Sequence, residues 1–514
     1  MRTPVLKNTA TNYLMVIVSL LQGLLVTRWM IHSLGNTYYG LWGVLWSFFM
    51  YGLLLDFGLG ITARKYTAAN LWQKDLKRYN MVISTIFSFH AMMSILILAA
   101  TCTLAVFAPR LFSVSDPELI AYCRQCVLLF GIGVALVFPT GIFPEIIIGM
   151  RAIYLRNYVM AACKVVELIG VLLILTMGGR LRVLIVFNIA IMLAINLSLA
   201  LAAKRRIPGF RLQLHVERSI LREIVHFSGY MYVMSISRLV MNNMSRPLIS
   251  AFCNLNSAGI FQIASRFPNF CSQFTNQYQE NVSPMTAGLY AEGKITELRN
   301  VILNSMRWNS FLATGVTVVA YTMIFYALAA FYKLTNPEIE HLSKLFLISL
   351  WIQQTMRAVP QRFMIMADHH KLAAVIAAVE AALMLIGFLL FIPRFGIEAV
   401  LWVSIAARLA LALIVVLPFL IRFFHFSIPR FIWKVYLLPL LTAAPTAILL
   451  NWFASQNKDG HAWIVLFSGG AMGGVLYLLI SYFFLLSPDE RRLMWNKAHE
   501  LWRRKFPGAS PPAA

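Results

Sequence analysis

Long apolar runs, separated by short polar breaks, constrain this chain more than any other feature of its sequence. A helix that crosses a bilayer needs about 20 apolar residues. Of the 514 residues, 60% are hydrophobic and 12% are charged, about half the charged share of a typical soluble domain. The chain is therefore predicted to be an all-α integral membrane protein. Apolar runs predict about fourteen spanning helices, near residues 9–33, 37–62, 80–108, 119–143, 157–178, 181–203, 224–253, 257–283, 306–332, 341–366, 372–392, 398–421, 435–454 and 462–487.

The distribution of Lys and Arg between the predicted loops indicates how the chain is oriented. The formal net charge of +24 comes from 44 Lys and Arg against 20 Asp and Glu. With a cytoplasmic N-terminus, 28 of these 44 basic residues fall in cytoplasmic segments and six in the opposite loops. The positive-inside rule therefore predicts that both termini are cytoplasmic, and the basic excess needs no nucleic acid partner. The basic N-terminal flank lacks a small-residue cleavage site, so we expect an uncleaved first span.

The six cysteines predict neither a disulfide framework nor a metal centre. All of them fall in or beside apolar runs, whereas such sites usually lie in polar loops. Cys123 and Cys126 form a CxxC pair, but inside a spanning helix this spacing favours packing over metal binding. We therefore expect no metal and no cofactor.

Short segments recur in the same order in the two halves of the chain. Tyr39-Gly40-Leu41-Trp42 matches Ala258-Gly259-Ile260-Phe261 at an offset of 219 residues. Arg28 matches Arg246 at an offset of 218 residues. A nearly constant offset indicates an internal repeat. Six predicted spans separate the copies, so both have the same orientation and are related by an axis along the membrane normal.

The repeat divides the chain into two parallel six-helix lobes, which we expect to surround a central cavity. Residues 1–203 form the N-lobe, residues 204–223 a basic cytoplasmic linker, and residues 224–421 the C-lobe. Residues 422–487 add two helices outside the repeat, and residues 488–514 form a basic cytoplasmic tail. Transporters built from such repeats hold their substrate between the lobes near the bilayer midplane.

Several basic residues inside the predicted spans have simple explanations. A lone Arg or Lys costs about 2.5–3.5 kcal/mol at the bilayer centre. Lys344 and Arg362 lie near span ends, where long side chains reach the interface. Lys164 has Glu167 three residues on, which predicts an ion pair on one helix face. These residues therefore need no functional interpretation.

Polar stripes mark three other spans. Residues of the eighth span recur at spacings of 4-3-4-3-4, which places them on one face of a helix. They are Gln262, Arg266, Asn269, Gln273, Asn276 and Glu280. Shorter stripes are formed by Arg238, Asn242 and Ser245 in the seventh span, with Arg246 beside them, and by Gln354, Arg357 and Gln361 in the tenth.

The stripes have two interpretations. Amide side chains can join helices by hydrogen bonds without forming a site. Arginine favours a site, because the spans offer few carboxylates and the guanidinium group binds phosphate through two parallel donors. We predict a cationic cavity for a phosphorylated substrate, lined by Arg238, Arg246, Arg266, Arg357, Asn269 and Gln273. Trp42 is a candidate for stacking on a sugar ring, although interfacial belts also collect Trp and Tyr.

The N-terminal region carries a resemblance to a known family. Leu34-Gly35, Tyr38-Tyr39-Gly40-Leu41-Trp42, Leu54-Leu55-Asp56-Phe57-Gly58-Leu59-Gly60 and Arg64-Lys65-Tyr66 resemble the polysaccharide (O-antigen type) flippases of the MOP exporter superfamily. The resemblance is strongest over residues 1–80. It implies export of a polyprenyl-pyrophosphate-linked oligosaccharide, whose head group passes through a cationic cavity while the lipid tail stays in the bilayer. By position, Arg28 and Arg64 look like matches to basic sites of such flippases.

The expected function is therefore a flippase of the bacterial cytoplasmic (inner) membrane that works by alternating access. Net flux could come from consumption of the product, from the membrane potential, or from coupled H⁺ or Na⁺, with Glu280 and Asp56 as candidates for coupling an ion. An ion pair of Glu280 with Arg266 or Arg238 is the alternative. Expected partners are the lipid-linked oligosaccharide, membrane lipids, and polysaccharide polymerase and chain-length machinery.

Two other functions are weighed against a flippase. An ion-coupled multidrug exporter of the same superfamily would need an acidic or apolar cavity for cationic drugs, and the charges predicted inside the spans have the opposite sign. A membrane glycan polymerase or ligase would need a large outer loop or a carboxylate pair. The longest outer loops have about ten residues, so we expect no enzyme.

Overall fold

The computed structural model describes most of the chain. Described are residues 2–57, 59–60, 62–64, 66–67, 75–112, 116–150, 152–214, 217, 229–280, 286, 289–290, 292–366, 369–457, 461–484 and 491–492. These residues are almost entirely helical and contain no β-strand, which confirms the all-α membrane fold.

The first half of the described chain forms six long helical segments. A 51-residue helix, α1 (Arg2–Gly52), holds the first predicted span and most of the second. It is interrupted at Gly35, whose φ of 77° lies in the left-handed region that glycine adopts without strain. The other helices are α2 (Leu76–Leu111), α3 (Pro117–Val137), α4 (Ile142–Gly149), α5 (Ile153–Thr176) and α6 (Leu181–Arg206). A 3-10 turn, Phe138–Gly141, joins α3 to α4.

The second half contains shorter helices with irregular joints. They are α7 (Gly229–Asn243), α8 (Ser245–Phe252), α9 (Leu255–Glu280), α10 (Ile295–Ala327), α11 (Pro337–Ile352), α12 (Val359–Met366), α13 (His370–Phe395), α14 (Glu398–Leu411), α15 (Leu417–Phe424), α16 (Ile428–Ile432), α17 (Leu438–Gln456) and α18 (Ala462–Phe484). Segments of π-helix cover Leu328–Tyr332, Gln353–Ala358, Ala412–Val416 and Trp433–Leu437.

Nine of the described helices are long and apolar enough to cross a membrane. The predicted eighth span, α9, is not among them, since its polar stripe lowers its hydropathy. The predicted tenth span is also missing from the nine, because α11 continues into the polar π-segment Gln353–Ala358, which contains two glutamines and Arg357. The prediction of fourteen spans therefore stays a prediction.

Contacts divide the chain into two compact units. Unit 1 comprises Met1–Arg266, Phe331–Lys333 and His370–Ala407, and unit 2 comprises Phe267–Ala330, Leu334–His369 and Arg408–Ala514. In unit 1, α1 packs against α5, α2 against α3, and α7 against α13. In unit 2, α10 packs against both α17 and α18. The lobe boundaries drawn from the repeat are defined differently and remain a prediction.

Two glycines of unit 1 meet in a reciprocal contact. A Cβ on Gly40 would lie 2.0 Å from the Leu255 carbonyl oxygen, and a Cβ on Gly259 would lie 2.1 Å from the Asn36 carbonyl oxygen. Each glycine thus touches the residue four positions before the other. Asn36 and Leu255 are separated by the same 219 residues as Gly40 and Gly259. A reciprocal contact of this kind is what a twofold axis between two copies produces.

Candidate functional site

Two arginines of the predicted cationic site lie close together in unit 1. Arg266 of α9 donates from Nε to the Tyr39 hydroxyl at 3.0 Å. Arg246 of α8 donates to the Ser47 hydroxyl at 3.2 Å and to the Gly43 carbonyl at 3.4 Å. All three acceptors belong to α1 after its interruption at Gly35. Both guanidinium groups are partly buried and near enough to repel one another.

The acceptors around this pair are neutral. Among the described residues, neither Arg246 nor Arg266 forms an ion pair with a carboxylate. Two cations that share a partly buried site without a counter-charge repel one another and are poorly solvated. An anion between them would reduce both penalties. The arrangement can therefore bind an anionic group, and guanidinium groups favour phosphate oxygens.

The local sequence explains how Arg246 reaches this position. Helix α7 ends at Asn243 and α8 begins at Ser245. Pro247 lacks an N–H, so the Asn243 carbonyl has no i+4 donor and the helix is interrupted there. Arg246 occupies the first turn after this break. On α1, Gly43 leaves space for the Gln262 side chain, because a Cβ at this position would lie 1.5 Å from the Gln262 amide oxygen.

Tyr39 is the residue of this arrangement that the sequence did not single out as a site. Its side chain is fully buried, with 0% exposure, and its hydroxyl also lies 3.3 Å from the Thr27 hydroxyl. In the sequence, Tyr39 stood out only as part of the internal repeat and of the family resemblance. Only the fold brings residue 39 and residue 266 together, so no local pattern could have paired them.

Arg64 and Asp56, both from the N-terminal region that carries the family resemblance, have titratable partners. Arg64 donates from Nε to the Glu145 carboxylate at 2.8 Å. Asp56 lies 2.9 Å from Nε2 of His90 and accepts the Gly60 N–H at 3.1 Å. Arg64 is thus neutralised by Glu145 in this conformation, and its predicted role in substrate binding stays a prediction.

The other predicted site residues differ in how far they are buried. Arg28 is partly buried, whereas Arg238, Asn269 and Gln273 are exposed. Trp42 is 8% exposed and packs edge-to-face on Trp46. The side chain of Glu280 lies outside the described residues. The roles predicted for all of these remain predictions.

Arg357 lies in unit 2, on the π-segment Gln353–Ala358, and is 5% exposed. It is close enough to Arg408 for the two to repel one another. Arg408 is also buried and donates to the Ser349 hydroxyl at 2.7 Å. Arg408 falls within the predicted span 398–421, but the sequence patterns did not assign it to the site.

Unit 2 also contains a network of hydrogen-bonded amide side chains. Gln279 donates to the side-chain oxygens of Asn309, at 3.0 Å, and of Gln354. Gln354 in turn donates to Asn276 at 3.1 Å, and Asn309 donates to the Gln354 carbonyl at 2.5 Å. These side chains join α9, α10 and the π-segment, which is the polar joining of helices that the amides alone suggested.

The predicted ion pair between Lys164 and Glu167 is wrong. Lys164 donates instead to the Gln22 side chain of α1 at 2.8 Å. Glu167 accepts from Asn188 of α6 at 2.8 Å. Helix α5 packs against both α1 and α6. Each of the two side chains therefore finds a partner on a neighbouring helix. A spacing of three residues did not decide the pairing.

The chain is similar in sequence to one family and in structure to several transporters. Residues 67–328 match a family described as polysaccharide biosynthesis protein. No curated protein sequence matches the chain. The fold is similar to that of the lipid II flippase MurJ in an inward closed conformation, with a TM-score of 0.70, 14% identity, and coverage of 93% of this chain and 98% of that one.

Multidrug resistance transporters of the MATE family in the MOP superfamily share the fold as well. An inward-facing one gives a TM-score of 0.63 at 14% identity, covering 80% of this chain and 94% of its own. An outward-facing one gives 0.58 at 12% identity, covering 82% of this chain and 95% of its own. The fold is thus found in both inward-facing and outward-facing transporters.

Proposed function

The chain belongs to the polysaccharide biosynthesis protein family, and on that premise we propose that it is a flippase for a lipid-linked oligosaccharide. Its MOP-type transporter fold supports this activity more than an enzymatic one. The substrate is a polyprenyl pyrophosphate that carries the sugars, and the head group moves from the inner to the outer leaflet. The protein works in the bacterial cytoplasmic membrane with both termini in the cytoplasm.

The Arg246–Arg266 pair is the observation that carries the proposal. A pyrophosphate head group carries at least two negative charges, and it must cross roughly 30 Å of hydrocarbon. An unpaired ion in that medium is very costly. Two guanidinium groups without a carboxylate partner among the described residues can replace the hydration that the head group loses, through hydrogen bonds and opposite charge. Bidentate hydrogen bonds add geometric selectivity for phosphate.

Alternating access then moves the bound head group. The pair binds pyrophosphate when the site is open to the cytoplasm, and a conformational change exposes the same site to the outside. Arg28, Arg238 and Arg357 are proposed to contact the head group or sugars along this route, with Asn269, Gln273 and Trp42 for the sugars. Polymerase and chain-length proteins are proposed to consume the product.

The second candidate is export of small molecules coupled to an ion, since MATE transporters share the fold. It would fit a cationic substrate only if acidic groups lined the site. The Arg246–Arg266 pair has the opposite sign, and it therefore favours an anionic head group. Transport of an anionic drug by wild-type protein, without transport of the lipid-linked sugar, would support this second candidate instead.

Removal of charge tests the proposal. We expect Arg246→Ala and Arg266→Ala each to reduce flipping of a polyprenyl-pyrophosphate-linked oligosaccharide in proteoliposomes at least about tenfold, equivalent to about 1.4 kcal/mol. Both lose a charged donor to phosphate, while Lys at either position should retain part of the rate. Arg124→Ala, at an exposed arginine of α3, is the matched control and should flip at the wild-type rate.

Folding must be followed in the same variants. Size-exclusion profiles and thermal unfolding should be close to wild type for Arg246→Ala and Arg266→Ala, since each loses hydrogen bonds to neutral acceptors only. Wild-type flipping rates in both alanine variants would end the assignment of the pair to the head group.

A further inference from the structure

A buried histidine in unit 1 has no role in the proposed head-group site. His90 of α2 has a side chain that is 3% exposed, and its Nε2 lies 2.9 Å from a carboxylate oxygen of Asp56. Among the described residues, neither ring nitrogen has a hydrogen-bond partner of good geometry. Phe138 packs against the ring, with centroids 5.0 Å apart. A buried imidazole held by one carboxylate contact is a group poised to change its charge.

We propose that His90 and Asp56 together form a proton-binding site that couples proton movement to flipping. This inference rests on the proposed flippase function and adds its energy source. The Asp56 side chain is 29% exposed and that of His90 is 3% exposed, so in the proposed path the proton binds the more accessible carboxylate first. It then passes to Nε2 of His90, which yields an imidazolium–carboxylate pair with no net charge. Release reverses these transfers and returns the proton to water, leaving one negative charge on Asp56.

Other charged groups lie on the elements around the pair. Gly60 donates its N–H to Asp56, and a Cβ on Gly60 would lie 3.4 Å from Glu145. Glu145 is held by Arg64, and Arg156 of α5 interacts electrostatically with both. Charged side chains on the helices that pack against α2 are Glu118 and Arg124 of α3 and Arg246 of α8. Those on α2 itself are Lys77, Arg78 and Arg110.

The turn that follows Asp56 links this site to the second copy of the repeat. Phe57 has a φ of 48°, a left-handed conformation that is unfavourable for a bulky side chain. Its ring stacks on Tyr232 of α7, with centroids 5.1 Å apart, and touches Phe89, the neighbour of His90. A change in the net charge of the His90–Asp56 pair therefore acts beside a strained residue that contacts α7. Such a residue is suited to switch between two arrangements.

Protonation of His90 can be measured without any transport assay. The full chain, labelled with ¹⁵N-histidine and reconstituted in phosphatidylethanolamine and phosphatidylglycerol bilayers, should show a His90 ring that gains and loses a proton when the pH of the medium is varied from about 4 to 9. That signal should vanish in His90→Gln and shift in Asp56→Asn. His461→Gln, at an exposed position, should leave it unchanged. A His90 ring that keeps one charge state across this range would overturn the proton site.

Coupling is tested by flipping under a pH gradient. In proteoliposomes with a polyprenyl-pyrophosphate-linked disaccharide as probe, an imposed gradient should change the wild-type rate by about fivefold or more. The ratio of rates with and without the gradient should fall to about one in His90→Gln and stay at the wild-type value in His461→Gln. An unchanged ratio in His90→Gln, or a wild-type rate indifferent to the gradient, would refute coupling through this site. Absence of any wild-type flipping would instead count against the flippase itself, while the titration still decides the proton site.

Discussion

At the scale of single residues, the hydroxyl of Tyr39 accepts a hydrogen bond from one of the two site arginines. It is buried between the Thr27 hydroxyl and the guanidinium of Arg266. A neutral acceptor orients Arg266 without cancelling its charge, whereas a carboxylate in the same place would compete with the substrate. Tyr39 is therefore a positioning residue for the proposed head-group site.

The hydroxyl can be removed without disturbing the ring. Tyr39→Phe loses one hydrogen bond to a charged group, and we expect the apparent affinity for the lipid-linked oligosaccharide to fall about tenfold, from a loss of about 1.5 kcal/mol. The maximal flipping rate should change less than the affinity. In a protein that already carries Arg266→Lys, adding Tyr39→Phe should lower the affinity less than it does in the wild type. Tyr38→Phe, next to it on α1, is the control, because Tyr38 contacts Tyr122 through its ring. Equal affinities of Tyr39→Phe and Tyr38→Phe would remove this role.

Residue types in the spans could be predicted from the sequence, but their partners could not. The polar stripe placed Arg266 and Gln262 on one helix face, and both lie near α1. The same reasoning paired Lys164 with Glu167 and was wrong, since each side chain found an acceptor or donor on a neighbouring helix. Spacing along one helix predicts which face a side chain shares. Packing between helices decides what that face meets.

At the scale of helices, the contact between Gly40 and Gly259 limits how α1 and α9 can pack. A Cβ at Gly40 would come within 2.0 Å of a backbone oxygen, which no rotation of a side chain can relieve. Close approach of helices through small residues is typical of membrane proteins. Gly40 could be recognised from the sequence as part of the repeat, but its contact required the reciprocal geometry.

A single methyl group tests this contact. Gly40→Ala should destabilise the protein by about 1–3 kcal/mol, because the two backbones must separate. Thermal unfolding in detergent should report this as a lowered midpoint. Gly23→Ala, on the same helix with nothing within 4 Å of the added carbon, should be neutral or stabilise by up to about 1 kcal/mol. A Gly40→Ala midpoint at or above that of Gly23→Ala would contradict the close approach.

At the scale of the whole molecule, the sequence predicted an all-α membrane fold, which is confirmed, and a polysaccharide export family, which agrees with the match to the polysaccharide biosynthesis protein family. Hydropathy succeeds here because lipid requires every span to satisfy its backbone within a helix. A hydropathy threshold does not select helices that line a polar site, such as α9. The spans most concerned with function are thus the hardest to count from hydropathy.

The orientation of the chain is a prediction with a direct measurement. All six native cysteines are free, so they can be replaced by Ser or Ala and single cysteines introduced. By the positive-inside rule, His461→Cys should react with a membrane-impermeant maleimide added to intact cells, and Lys294→Cys should react only after permeabilisation. Both positions are exposed. The reverse pattern would invert the topology, and labelling of both in intact cells would change the parity of the spans between them.

The reciprocal glycine contact also sets a limit on how the sequence can drift. When two larger residues touch, growth of one can be offset by shrinkage of the other. Glycine is already the smallest residue, so neither position can become smaller to make room for a larger residue at the other. Any enlargement at position 40 or 259 must be absorbed by sliding or tilting an entire helix, which would also displace Tyr39 and Gly43 from the arginines they meet.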